Sequence, residues 1–181
     1  MLSHSVLLAA IIGLFSLRAN AQVLTVAGGQ TVRLSTKHDY ASVELNLPWK
    51  EKIWKTERWR LDLNQAFSVS GFHDVNDVYL VSWAPNVILS LQSRGNFYPY
   101  FQFSFGVALL SDDHFESEDN DPRHNGETDL GSLGQFESSV TLGMMYGRYG
   151  LRARFYHYSN ANLASPNEGL DVAELGLSYR F

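Results

Sequence analysis

Apolar and polar residues alternate one for one over long stretches of this chain, a period that suits strands with one greasy face and excludes amphipathic helices there. From Phe97 to Leu109 the odd positions hold Phe97, Pro99, Phe101, Phe103, Phe105, Val107 and Leu109, whereas the even ones hold Tyr98, Tyr100, Gln102, Ser104, Gly106 and Ala108. Trp59, Leu61, Leu63, Phe67 and Val69 oppose Arg58, Arg60, Asp62, Asn64, Ser68 and Ser70, with Gln65 out of pattern. The split recurs at Phe136, Val140, Leu142, Met144 and Tyr146 against Glu137, Ser139, Thr141 and Gly143. Leu151, Ala153 and Phe155 oppose Arg152 and Arg154, and Leu175, Leu177, Tyr179 and Phe181 oppose Glu174, Gly176, Ser178 and Arg180. Weaker candidates near residues 23–29, 38–48 and 76–90 bring the count to about eight strands.

Many of these runs exceed the usual five or six residues of a soluble strand and approach the length that crosses a bilayer when tilted. Soluble sandwiches and lipocalin-like barrels also alternate, but they turn the greasy face inward. Here the polar face carries Arg58, Arg60, Asp62, Glu137, Arg152, Arg154, Glu174 and Arg180, a set that suits a narrow lumen of paired charges better than a solvated exterior. The expected fold is therefore all-β, an eight-stranded antiparallel transmembrane β-barrel. A mean hydropathy of −0.17 does not argue against it, since alternation hides a lipid face from any average.

The connections alternate in length as small outer-membrane barrels require. Gly147-Arg148-Tyr149-Gly150 is a tight turn, Leu91 to Asn96 is short, and Ser111 to Leu133 is long and acidic. Trp49 to Arg58 is the exception, a long inner connection. With the short turns in the periplasm, Trp49, Trp59, Tyr98, Tyr146, Tyr149 and Phe181 gather at one rim as an aromatic girdle.

Export is written at the N-terminus. An apolar run from Val6 to Leu17 ends in Ala19-Asn20-Ala21, so residues 1–21 read as a cleaved signal peptide and residues 22–181 as a single barrel domain. The closing series Leu175, Leu177, Tyr179 and Phe181 resembles the C-terminal signal by which outer-membrane barrels are recognised, which points to the bacterial outer membrane. Without cysteine the chain has no disulfide, thiolate metal site or cysteine nucleophile. After loss of Arg18 it carries 13 basic against 19 acidic side chains, a charge of −6 that argues against nucleic acid. No cofactor or metal is expected. The acidic loop (Asp112, Asp113, Glu116, Glu118, Asp119, Asp121, Glu127 and Asp129, with His114 and His124) could hold divalent cations, but a solvated loop is the favoured reading. The lumen charges are read as a structural network rather than a channel, His38 and His73 as strand-end residues that cap or hydrate, and Gly28-Gly29 as a flexible strand end.

One hairpin departs from the apolar outer face. Extending the odd register beyond Phe155 brings His157 and Ser159 outward, about 7 Å apart between Cα atoms. Counting back from Phe181 by twos through Ala173 brings Asp171 outward as well. Serine as nucleophile, imidazole as general base and carboxylate to orient it form a hydrolytic arrangement defined by geometry and role. The loop from Asn160 to Leu170 lies on the outer side, so an amphiphile in the outer leaflet could present an ester there. The same spacing also fits an interfacial His and Ser solvated by lipid headgroups.

The stretch His157-Tyr158-Ser159-Asn160-Ala161, followed by Pro166-Asn167-Glu168-Gly169-Leu170-Asp171, closely resembles the signature of the PagL family of outer-membrane lipid A 3-O-deacylases. Trp83-Ala84-Pro85, Gly106-Val107-Ala108 and Leu130-Gly131-Ser132 leading to Phe136-Glu137 extend the likeness over most of the mature chain. The resemblance implies an eight-stranded barrel with a membrane-facing serine hydrolase triad and no metal. It makes His157 the base and Ser159 the nucleophile, with Asp171 where the family usually has Glu and Glu168 as a fallback acid. It also implies an oxyanion hole from Asn167 and the backbone amide of Asn162, a position that is Gly in a relative.

The expected function is a serine esterase that removes the ester-linked 3-hydroxyacyl chain at position 3 of lipid A in lipopolysaccharide. The rivals are a non-catalytic scaffold or adhesin barrel and an outer-membrane phospholipase or acyltransferase. A homodimer in the membrane is compatible with this reading, with no interface named by the sequence.

Overall fold

Strands follow the alternation closely and close on themselves. The structure, a computed structural model, describes residues 22–32, 37–73, 76–92, 96–116 and 128–181; the expected signal peptide lies outside these. The strands are β1 (Val23–Val32), β2 (Asp39–Lys55), β3 (Trp59–His73), β4 (Asp77–Leu91), β5 (Phe97–Leu110), β6 (His114–Phe115), β7 (Thr128–Asp129), β8 (Gly134–Tyr146), β9 (Tyr149–Ser159) and β10 (Leu170–Arg180). Eight form a closed barrel in the order β1-β10-β9-β8-β5-β4-β3-β2, and β6 pairs with β7 in a small hairpin within the long outer loop.

Burial runs opposite to that of a soluble protein. In β5 the side chains of Phe101, Phe103, Phe105, Val107 and Leu109 are exposed, while Gln102, Ser104 and Ala108 are buried. A Leu or Phe side chain held in hydrocarbon rather than water gains about 1.5–3 kcal/mol, so the outward row is stable only in lipid. The lumen holds the charges, and they are paired. Arg152 lies between Glu44 and Glu174, Arg154 also binds Glu44, and the Arg152–Glu174 contact is 2.8 Å. Ser42 Oγ donates to Glu174 at 2.9 Å and Arg154 Nε to Thr141 Oγ1 at 2.7 Å, which stitches four strands together across the interior.

The outer end of the lumen is apolar and filled. Tyr40, Phe72, Val78, Leu80, Tyr156, Tyr158, Leu170 and Val172 pack with Phe115 and Leu130 of the outer loop. Phe115 meets Phe72 edge to face with centroids 5.2 Å apart. The acidic loop is thus not wholly solvated: its two ends enter the core. His38 is buried edge-on to Phe115 rather than hydrated, because the loop folds over it.

Several expectations are corrected at the inner end. The segment from Trp49 to Arg58 is not a long connection. β2 continues to Lys55, and register shifts at Pro48/Lys50 and Lys50/Trp54 absorb the extra residues as bulges. Only three residues link it to β3, with Thr56 Oγ1 accepting the backbone N–H of Trp59 at 3.0 Å. Arg58 therefore sits in an exposed turn and not in the lumen. Tyr98 leaves the girdle, since its even register turns the ring inward beneath the Arg180 guanidinium, 5.9 Å from the centroid. Trp49, Trp59, Tyr146, Tyr149 and Phe181 remain exposed at this rim. Gln65, the misfit on the outer face, accepts the indole N–H of Trp83 at 3.4 Å.

Candidate active site

Pairing across the closing strands explains why three polar groups meet. Val32 stands opposite Asp171, Asp171 opposite His157, His157 opposite Ser138 and Ser138 opposite Phe105, one row across five strands. Directly opposed residues have Cβ atoms about 5 Å apart, which a carboxylate as short as Asp can span to reach an imidazole. His157 Nδ1 and Asp171 Oδ1 are 2.7 Å apart. With Nδ1–H donating to the carboxylate, Nε2 becomes the acceptor that a general base needs. Asp171 is only 6% exposed, which strengthens its hold on the ring, whereas the His157 side chain is 47% exposed to the outside of the barrel.

Ser159 lies one step further along β9, opposite Phe136. His157, Ser159, Ser138, Phe105, Phe136 and Ala161 line an open depression of about 310 Å³ on the barrel's outer wall. Among the described residues Ser159 Oγ and His157 Nε2 do not hydrogen-bond to one another, and neither takes another protein partner. Such contacts commonly tighten only when substrate closes the site. The rings of Phe105 and Phe136 stack with centroids 6.0 Å apart, an apolar flank beside the serine. Ser138 was not foreseen; the one sign of it in the sequence is the break it makes in the outward apolar series between Phe136 and Val140.

The loop after β9 is built on Asn160, which is 2% exposed. Its Nδ2 donates to the carbonyls of Leu130, Ala164 and Pro166 at 2.8, 3.1 and 3.2 Å, and its backbone N–H donates to Asn167 Oδ1 at 3.1 Å. Asn167 Nδ2 in turn donates to Asn162 Oδ1 at 3.1 Å. Asn162 has φ +61°, a left-handed conformation that Asn tolerates better than most residues. Gly169 has φ +70°, and a Cβ there would lie 3.2 Å from His157 Cε1, pressing on the imidazole.

Glu168, the fallback acid, is engaged elsewhere. Its Oε2 accepts the backbone N–H of Asp129 at 2.9 Å and it makes no ion pair with His157. The difference is topological: Asp171 belongs to the β10 ladder, whereas Glu168 lies in the loop that docks on β7. In the acidic loop, Glu118, Asp119, Asp121, His124 and Glu127 lie outside the described residues. Asp112, Asp113 and His114 bring ligand-type atoms within 4.8 Å of one another. Both ring nitrogens of His114 already face carboxylates, Asp113 at 3.0 Å and Asp129 at 3.2 Å. The hydrogen bond to Asp113 and then the Asp129 charge raise the His114 pKa, so the charged link holds while the imidazole stays protonated beside these carboxylates and is lost as pH rises through the raised value.

Residues 39–180 match the family described as Lipid A 3-O-deacylase (PagL). The chain is 27% identical over 175 residues to the lipid A deacylase PagL of Bordetella bronchiseptica, covering 90% of this chain and 89% of that one. It is 25% identical over 156 residues to the lipid A deacylase PagL of Pseudomonas aeruginosa, covering 83% and 78%. Its fold is similar to the crystal structure of the outer membrane enzyme PagL, with a TM-score of 0.73 at 22% identity over 87% of this chain and 98% of that one. With most of its length inside the match, this chain belongs to the lipid A 3-O-deacylase (PagL) family.

Proposed function

We propose that this outer-membrane barrel is a lipid A 3-O-deacylase, and that Ser159, His157 and Asp171 perform the hydrolysis. Ser159 Oγ attacks the carbonyl carbon of the ester at position 3 while His157 Nε2 takes its proton. The oxygen of the tetrahedral intermediate draws on the Asn162 backbone N–H and the second amide hydrogen of Asn167. As the intermediate collapses, His157 returns the proton to the departing sugar oxygen and an acyl-serine remains. Water, deprotonated by the same His157, then releases the 3-hydroxy fatty acid and restores the serine. Asp171 holds the imidazole in the tautomer that both steps require and stabilises the imidazolium.

The single observation that carries this reading is the 2.7 Å contact between His157 and Asp171 beside Ser159 on a lipid-facing wall. A polar trio there is costly unless it has a task or a partner, and an outer-leaflet ester supplies one. Residues 1–21 are read as a leader removed before the barrel inserts, so the intact mass of the membrane protein should correspond to a chain starting at Gln22.

The test is to incubate purified, folded protein separately with lipid A and with phospholipid and to weigh the products. Loss of one 3-hydroxyacyl chain from lipid A alone is expected, and Ser159→Ala should lower the rate by at least about 10³-fold. Lipid A that keeps every acyl chain would favour the scaffold reading, and cleavage of phospholipid would favour a phospholipase.

A further inference from the structure

Three of the chain's four tryptophans and five of its fourteen Lys and Arg residues fall between Trp49 and Arg60. Against Glu51 and Glu57 this segment carries +3, in a chain whose net charge is −5. The structure makes it an extension of the β2–β3 hairpin at the inner end. β1 begins at Val23, opposite Asn46, so the rest of β2 runs on past this neighbour at the inner end. Trp49 is 62% exposed, Trp54 49% and Trp59 42%, and Ile53 is exposed as well. Arg60 pairs with Asp62 and Glu51, which removes one of the two acids of the segment from play. Lys50, Lys52, Lys55 and Arg58 make no ion pair among the described residues.

The lipid-facing side of β3 runs through Val69 and Phe67 to Trp59, so the hairpin begins where the hydrocarbon wall ends. Tryptophan concentrates at the boundary between headgroups and acyl chains, and Lys and Arg beyond it reach toward phosphates. The hairpin also lies at the end opposite Ser159, so the lipid it meets belongs to the other leaflet from the ester.

We propose that the extended β2–β3 hairpin is a binding site for anionic phospholipid headgroups of the inner leaflet. Trp49, Trp54 and Trp59 seat at the acyl boundary, and Lys50 and Arg58 compensate the phosphate charge, whereas Lys52 and Lys55 line the inner mouth of the lumen with Arg60 and Asp62. Continuity with the lipid wall and the local excess of positive charge select this occupant over an acidic soluble protein.

In a Trp83→Phe background, excited at the red edge where tyrosine does not absorb, the three hairpin tryptophans are the emitters. This protein would be folded into bilayers holding equal mole fractions of brominated phosphatidylglycerol or brominated phosphatidylcholine. Quenching by the anionic lipid is expected to exceed that by the zwitterionic one about threefold or more, and to converge at high salt. Replacing Lys50 and Arg58 together by Gln should erase the difference, whereas Lys52→Gln with Lys55→Gln, on the lumen side, should leave it in place. Equal quenching by both lipids, or a preference that survives the Lys50 and Arg58 substitutions, overturns the proposal. Tryptophans quenched by neither lipid would mean that the hairpin stands clear of the bilayer, which overturns it equally.

Discussion

A carboxylate as short as that of Asp171 reaches the imidazole because the β9–β10 ladder sets Asp171 directly opposite His157. Reach is supplied by strand pairing, not by side-chain length. Asp171→Asn should lower the rate of fatty-acid release by roughly 10²–10⁴-fold, since an amide can donate to Nδ1 and so favour the wrong tautomer. Asp171→Glu should retain more activity than Asp171→Asn, because it keeps the charge at the cost of local repacking. Both are read from initial rates with protein that passes a folding check. Equal rates for wild type and Asp171→Asn would remove the carboxylate from the mechanism.

The loop from Asn160 to Gly169 is held as an element rather than left to itself. Asn160 ties three carbonyls, one of them from the outer loop at Leu130, and a Cβ at Gly131 would collide with Pro166 O. Asn160→Ala leaves buried carbonyls unsatisfied, a cost of about 1–3 kcal/mol confined to this loop. The amides proposed for the oxyanion would lose their support, so kcat should fall by roughly 10-fold or more, with about 1.4 kcal/mol of barrier for each factor of ten. Barrel melting should shift little by comparison. A variant that melts early with kcat per folded molecule unchanged would show that the anchor serves stability alone.

At the scale of the whole molecule, lumen and outer wall divide stability from chemistry. Glu44 lies between Arg152 and Arg154, all three buried. Glu44→Gln takes from Arg154 its close carboxylate and leaves Arg152 with Glu174 alone, and breaking such a buried pair costs about 3–5 kcal/mol. Urea titration in lipid vesicles should show that loss, while the folded fraction keeps its deacylase rate because the proposed site lies on the opposite face of the wall. A rate that fell in step with stability in fully folded samples would couple the interior to the site.

Period two in the sequence determined the strands, which face meets lipid, and the outward placement of His157, Ser159 and Asp171, because side-chain direction in a strand follows from counting alone. The motif around Ser159 was legible for the same reason: its members lie on one hairpin. The bulged β2 extension, the inward turn of Tyr98, the burial of His38 and the commitment of Glu168 to Asp129 were not legible. Each depends on which strand or loop lies alongside, and bulges and loop docking are decided by contacts between residues far apart in the chain. Ser138 belongs with them, since only the β8–β9 pairing shows that it stands opposite His157.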